Sequence, residues 1–517
     1  MGQQSFIDTI GPLQMLFVLA VIGIPLLLRF GPALLGRLSQ SAALPARKVP
    51  ALELSAVPAN RIMAATRAGP AAERQIRPVT TADQNAAFEA VMGTIRSIPT
   101  DRGMEHPVRQ AIVFRQFFPP PHDGRGLSFF GGVPISPPSF AWPCVENASG
   151  SRRPLHFLMQ IDCAEVPADA RLGLLPERGV IYVFLDMEQW PSDVFRVLYE
   201  AEPGAHWNEA PTPDGLSPVY GPQAPYVWGW TQALEGGAAR CPNTLPKWPF
   251  RPVAIPVPAP AVDESETEDA ALWWPGDKAV AQALLEAQGE EVVARAFSDV
   301  VISKDGSLGR PFETYPHDWH AIEICAGLLL KRLRRPGGVS LRSLAALSAE
   351  ERAALLERIA AEARRWIDRA AKYDSFAAVP DADRAAFWAW LEEHAAIVRF
   401  VLPEAATNSV EASLAHSGES AARIPRDATA CVHARHALAC RVKDGVHAST
   451  PDRMLAPPSD VQGNQYEIAT THLLLLELSS NEGLGHHFSE GVYQFWITPD
   501  DLEARRFDKV VLTADAY

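Results

Sequence analysis

The sequence predicts an α+β protein: one N-terminal transmembrane helix, then a mixed β domain with two similar β units and a helical insertion. Three patterns carry that prediction. Residues 9–28 form an unbroken uncharged, largely apolar run. Short β-type runs divided by Gly and Pro fill 111–199 and are echoed at 473–497. Between them, apolar residues recur at helical spacing over 347–402.

As a helix, the 20 residues from 9 to 28 span about 30 Å, one bilayer core. Gly11-Pro12 suits its start, and Pro25 kinks a membrane helix without forbidding it. Residues 2–8 carry no Lys or Arg, unlike the front of a secretory signal. Arg29, Arg37, Arg47 and Lys48 follow the run, which puts that flank in the cytoplasm. The expectation is a single-pass protein of the cell inner membrane, its C-terminal domain cytoplasmic and the membrane its partner through 9–28. Six cysteines over 517 residues form no dense disulfide framework, in keeping with a reducing compartment.

Lys and Arg number 47 against 61 Asp and Glu, a formal charge of −14. That balance excludes a wholesale basic nucleic-acid binder, because counterion release needs clustered cations. Hydrophobic residues at 47% exclude disorder throughout.

Residues 29–80, rich in Ala, Pro and Arg, read as a flexible tether, and 81–517 as the domain. Thr81 to Gln84 resembles a cap, followed by Phe88, Val91, Met92 and Ile95 on one helical face. Strands follow at 111–114, 155–162 and 180–185. The Pro and Trp residues of 203–262 predict long packed loops with a few edge strands, and the acids of 263–269 a solvated loop. Helical pattern covers 277–297, 347–373 and 381–402, the second opened by the capping pair Ser348 and Glu351. A loop-rich and helical insertion thus occupies about 200–445.

The run Phe157 to Asp162, then Gly179 to Phe184, has a counterpart in Leu474 to Leu478, then Gly491 to Trp496. Each copy is an apolar strand with Gln or Glu near its end, then a loop, then Gly-Val opening an aromatic-rich strand. This echo predicts two related sheet units within one domain.

Two clusters have metal-binding chemistry. His317, Asp318 and His320 stand at a predicted helix start, where imidazoles and a carboxylate suit a divalent ion or a shared proton, and Asp318 equally suits an N-cap. His433 and His436, flanked by Cys431 and Cys440, share one face of a helix. There is no Gly-x-Ser-x-Gly elbow, P-loop, dinucleotide Gly-x-Gly-x-x-Gly or His-Glu-x-x-His. No reaction or cofactor can be assigned from such patterns.

Phe129-Phe-Gly-Gly-Val-Pro134, Trp142-Pro143, Leu155 to Asp162 and Gly179 to Asp186 together resemble the YwqG-like family of bacterial proteins, a domain of unknown function. The likeness resumes at Pro457 to Gly463, Leu473 to Leu478 and Gly491 to Thr498. It implies a mixed α+β fold with two similar β units and no established activity. Along these motifs the candidate binding residues are Gly131, Gly132, Trp142, Gln160, Asp162, Asp186, Gln462 and Glu477. Gly131-Gly132 suits a tight turn; Gln160, Asp162 and Asp186 end strands, where they line a cleft or satisfy turn amides.

The function expected is that of a membrane-anchored, cytoplasm-facing, non-catalytic interaction module with a protein partner. The alternatives are a metal-dependent enzyme using the His/Asp cluster and a toxin-binding immunity-type protein.

Overall fold

Ten strands pair into one antiparallel sheet. The computed structural model describes residues 108–116, 126–258, 308–335, 344–416, 424–429, 442–443, 446–447, 452–458 and 468–515, with gaps at 147–149, 190, 204–206, 235, 345, 457, 470 and 489–490. The predicted span at 9–28, the tether, the cap at 81–84, the acidic stretch at 263–269 and the helical pattern at 277–297 lie outside the described residues. Among the described residues no helix is long and apolar enough to cross a membrane.

The strands are Val108–Gln116 (β1), Phe129–Phe130 (β2), His156–Asp162 (β3), Val180–Leu185 (β4), Phe195–Glu200 (β5), Trp248–Pro258 (β6), Arg453–Met454 (β7), Leu473–Ser479 (β8), Val492–Ile497 (β9) and Val511–Asp515 (β10). Across the sheet they run β10-β9-β8-β7-β1-β6-β2-β3-β4-β5. Read from the two ends this order repeats itself, β6 to β10 corresponding to β1 to β5. The registers agree in detail. Phe129 pairs Gln160 where Arg453 pairs Glu477, and Gln160 pairs Tyr182 where Glu477 pairs Gln494. A bulge falls between Phe157 and Met159 in β3 and at the matching place, between Leu474 and Leu476, in β8.

The two first strands are exchanged: β1 lies beside the second set and β6 beside the first. Phe114 N–H donates to Asp452 O as Phe250 N–H donates to Ser128 O. Arg115 pairs with Arg251, so the axis relating the halves passes between these residues.

The placement of β6 departs from the expectation of edge strands over 203–262. Prolines lack a ladder donor and normally keep a strand at an edge. Here Pro252, Pro256 and Pro258 share parity with Phe250, whose N–H faces away from β1. Val253, Ile255 and Val257 keep their donors on the β1 side, while β2 meets β6 at Trp248 and Pro249 alone. The missing donors therefore fall where the described residues offer no partner strand.

The sheet curls until its edges approach. Phe195 of β5 meets Phe495 of β9 at 5.6 Å between centroids, and Tyr199 stacks on Phe507 at 5.2 Å. Inside, Ile161, Ile181, Val183, Met454, Leu476, Leu478 and Phe495 join one main core. Outside the first repeat, Phe129, Phe157, Tyr182 and Phe184 form a second cluster under Phe140 and Trp142.

Four helices continue the main core: Trp319–Arg334 (α1), Ala349–Ala370 (α2), Asp381–Glu393 (α3) and Leu402–His416 (α4). The capping box of Ser348 and Glu351 forms with both bonds present. α1 packs against both α2 and α4. The predicted helix over 381–402 breaks at His394, whose φ of −111° and ψ of 24° leave the helical basin, and only a turn at Ala395–Val398 follows.

Candidate functional site

The first-repeat candidates are held in place by local bonds. Gly131 and Gly132 lie in the left-handed region, φ 58° and 67°. Their N–H groups donate to Leu158 O and Leu245 O, each at 2.8 Å. A Cβ on Gly131 would stand 2.1 Å from Pro246 O, so only glycine lets the chain cross there. Gln160 takes Ile135 N–H on Oε1 and donates Nε2–H to Leu127 O, both at 2.8 Å, bracing the chain on either side of β2. Trp142 Nε1–H donates to Leu155 O. Asp162 caps a short turn through Ala164 N–H. Asp186 is buried in an ion pair with Arg153, which also approaches Glu188 at 3.5 Å.

The second repeat carries a different row on its outer face. Arg453 occupies the position of Phe129, Glu477 that of Gln160, Gln494 that of Tyr182 and Thr513 that of Leu198. Arg453 Nη2–H donates to Glu477 Oε1 at 2.7 Å and Gln494 Nε2–H to Glu477 Oε2 at 2.8 Å. Thr513 Oγ1–H donates to Gln494 Oε1 at 3.3 Å, and Trp496 Nε1–H to Thr513 Oγ1. Arg453, Glu477 and Gln494 are all at most 1% exposed. Gln462 lies outside the described residues.

Asp452 is buried beside this row, its Oδ1 accepting Ser479 N–H at 2.8 Å. Burial pushes its carboxyl up from 3.8 to about 7, against the opposing Ser479 donors and Arg453. Between those values the folded chain holds a proton that the unfolded chain has released, so this group's contribution to stability falls as pH rises. Asp452→Asn keeps an acceptor for Ser479 and removes that cost. In urea denaturation its stability relative to the native chain is expected to rise from about pH 4 to about pH 7 and then level off. A difference independent of pH would show an ordinary carboxylate.

The cluster at the start of α1 divides in two. Asp318 is the N-cap, Oδ1 accepting Ala321 N–H at 2.7 Å. Ser413 Oγ of α4 lies 2.7 Å from both Asp318 Oδ2 and His317 Nε2. In a nucleophilic triad the imidazole stands between hydroxyl and carboxylate; here acid and base converge on one hydroxyl. His317, Asp318 and Ser413 are 4%, 4% and 3% exposed, so the hydroxyl is closed to a substrate. His320 belongs elsewhere: its Nδ1 is 3.4 Å from Glu323, which pairs with Arg240, and its ring meets Trp230 and Phe376. His416 stacks on the other side of this group, 5.0 Å from Phe376, and burial holds its imidazole below the usual value. Among the described residues no group of three His, Cys, Asp or Glu is arranged to hold a metal ion. His433 and His436 lie outside the described residues.

The surface beside this cluster has a shape that the sequence pattern did not single out. Arg365, Asp368, Arg369, Lys372 and Tyr373 line an open concavity of about 470 Å³ at the C-terminal end of α2. The Tyr373 ring lies flat on buried Trp319, 4.1 Å away and 4° from parallel, and is 47% exposed. Arg369 is tied to Asp383. Helical spacing of 365, 368, 369 and 372 places these residues on one face, a regularity visible in the sequence but ordinary for a solvated helix.

No curated protein matches the chain. A family match covers residues 128–301 and 390–516. It takes in β2 to β10 and leaves out α1, α2 and the concavity. Matched over more than half its length, the chain belongs to the family described as Domain of unknown function (DUF1963).

Proposed function

We propose that this protein is a membrane-tethered, non-catalytic binding module that receives an acidic segment of a partner protein in the concavity at the end of α2. The supporting observation is that concavity itself: Arg365, Arg369 and Lys372 against the single acid Asp368, Arg369 being shared with Asp383, and an exposed tyrosine on a fixed aromatic base, in a chain of net charge −14. It lies between the family-matched segments, where a role particular to this protein belongs. The kinship with YwqG-like bacterial proteins, the inner-membrane anchor at 9–28 and the cytoplasmic placement are part of the same reading and rest on sequence patterns alone. The metal-dependent alternative draws no support from His317, Asp318 and His320, whose side chains serve two separate clusters. A basic toxin suits a cationic concavity poorly.

The test is fluorescence anisotropy of a labelled polyglutamate peptide titrated with the full chain in detergent. Arg365→Glu with Lys372→Glu is expected to weaken binding by about tenfold or more, and salt to weaken it in the native chain. Arg178→Glu, an exposed charge change in the first repeat, serves as the control. Equal binding by native chain and double variant would refute the assignment.

A further inference from the structure

We infer that the opposite end of the helical layer, built from Lys331, Arg332, Arg334, Arg335, Arg399 and Phe400, is a docking surface for an anionic lipid bilayer. α1 ends in Lys-Arg-Leu-Arg-Arg, residues 331–335. A helix C-terminus attracts one or two cations through its dipole, but four in five positions exceed that need, and Arg399 adds a fifth from another element. Phe400, 37% exposed, lies between two of them, its ring centroid 5.3 Å from Arg332 Cζ and 4.4 Å from Arg399 Cζ. Arg334 and Arg335 are exposed. Among the described residues, Arg332, Arg334, Arg335 and Arg399 form no ion pair, including with exposed Glu404 in the first turn of α4.

Unpaired guanidiniums around a partly exposed aromatic ring combine the two attractions of a bilayer surface. The charges meet anionic headgroups, and the ring enters the boundary between headgroups and acyl chains. Charge alone would equally suit a soluble polyanion; the tether favours the bilayer. Only the 52 residues 29–80 separate the anchor from the domain, so a domain anchored at 9–28 is kept near the membrane surface. That part of the argument rests on the anchor proposed above. α1 and α2 pack side by side with Trp319 against Tyr373, so the basic end of α1 lies a helix length, about 24 Å, from the concavity. A domain docked by this end leaves the concavity open to a partner.

The surface contains its own reporters, because trypsin cuts after Lys331, Arg332 and Arg334, whereas the Arg335–Pro336 bond resists it. The full chain is incubated with phosphatidylcholine vesicles, with the same vesicles containing phosphatidylglycerol, or with soluble polyglutamate. It is then digested briefly, and peptides ending at Lys331, Arg332 or Arg334 are quantified against those ending at exposed Arg178. With phosphatidylglycerol, cleavage at 331–334 is expected to slow by about tenfold, and high salt to restore it. In Arg334→Glu with Arg335→Glu, cleavage at Lys331 and Arg332 should be equally fast with and without the anionic vesicles. Equal protection by neutral and anionic vesicles would overturn the proposal, as would protection by polyglutamate alone. Flotation with neutral vesicles scores the anchor separately, so the anchor and the docking surface can fail independently.

Discussion

Arg453→Phe is expected to lower the free energy of unfolding by about 3–5 kcal/mol, because it leaves the Glu477 carboxylate buried without its cation. Adding Glu477→Gln should return most of that loss. The double variant installs in the second repeat the pair found at the equivalent positions of the first, Phe129 and Gln160. A buried ion pair replaced as a unit by well-packed residues is commonly neutral or stabilising, whereas a broken pair is costly. Urea denaturation of the native chain, both single variants and the double variant closes the cycle. Additive losses would show that the two repeats surround this position differently, despite their matching registers. A single variant within about 1 kcal/mol of native would show that the pair is not truly dry.

Gly131→Ala is expected to cost more than about 3 kcal/mol, combining left-handed strain with a collision against rigid backbone. The atom it meets, Pro246 O, cannot move without displacing the chain that enters β6. Gly132→Ala meets the Lys247 side chain instead, nearest at its Cβ, 2.9 Å away, with no backbone carbonyl in the way, and Gly215→Ala, at φ 79°, meets nothing within 4 Å. The expected order of loss is therefore 131, then 132, then 215, the last costing about 1–2 kcal/mol from backbone strain alone. Thermal unfolding of the three variants tests this order. A stable Gly131→Ala chain that loses ligand binding would return the glycine pair to the list of binding residues.

The β strands were legible where burial on both faces leaves a continuous apolar run. Leu155 to Asp162, Val180 to Leu185 and Leu473 to Leu478 declare themselves, and the matched spacing of their partners exposes the repeat. The exchange of β1 and β6 left no such trace, because pairing between distant strands has no local signal. The prolines of β6 also spoke for an edge. α2 was legible through its capping box and one-sided face, whereas α4 buries Ala405, Ala406, Ser409, Ala412 and Ser413 on a broad face of small residues that blurs the period. Ser413 could not be connected to His317 and Asp318 from sequence for the same reason. Their chemistry was visible; the hydroxyl that occupies it was not. The α2 concavity was hidden because Tyr373 acquires its position from Trp319, in a different helix.

The exchanged first strands also order events during synthesis. β1 is made first, yet its neighbours β6 and β7 arrive much later, one of them near the far end of the chain. The first repeat can pair β2 to β5 early, but it waits for β6 before β2 has its other neighbour. Such distant pairings are slow because loop closure precedes any reward from contact. A nascent chain stalled before β6 therefore presents two open sheet edges, and its passage to the native state depends on what covers them meanwhile.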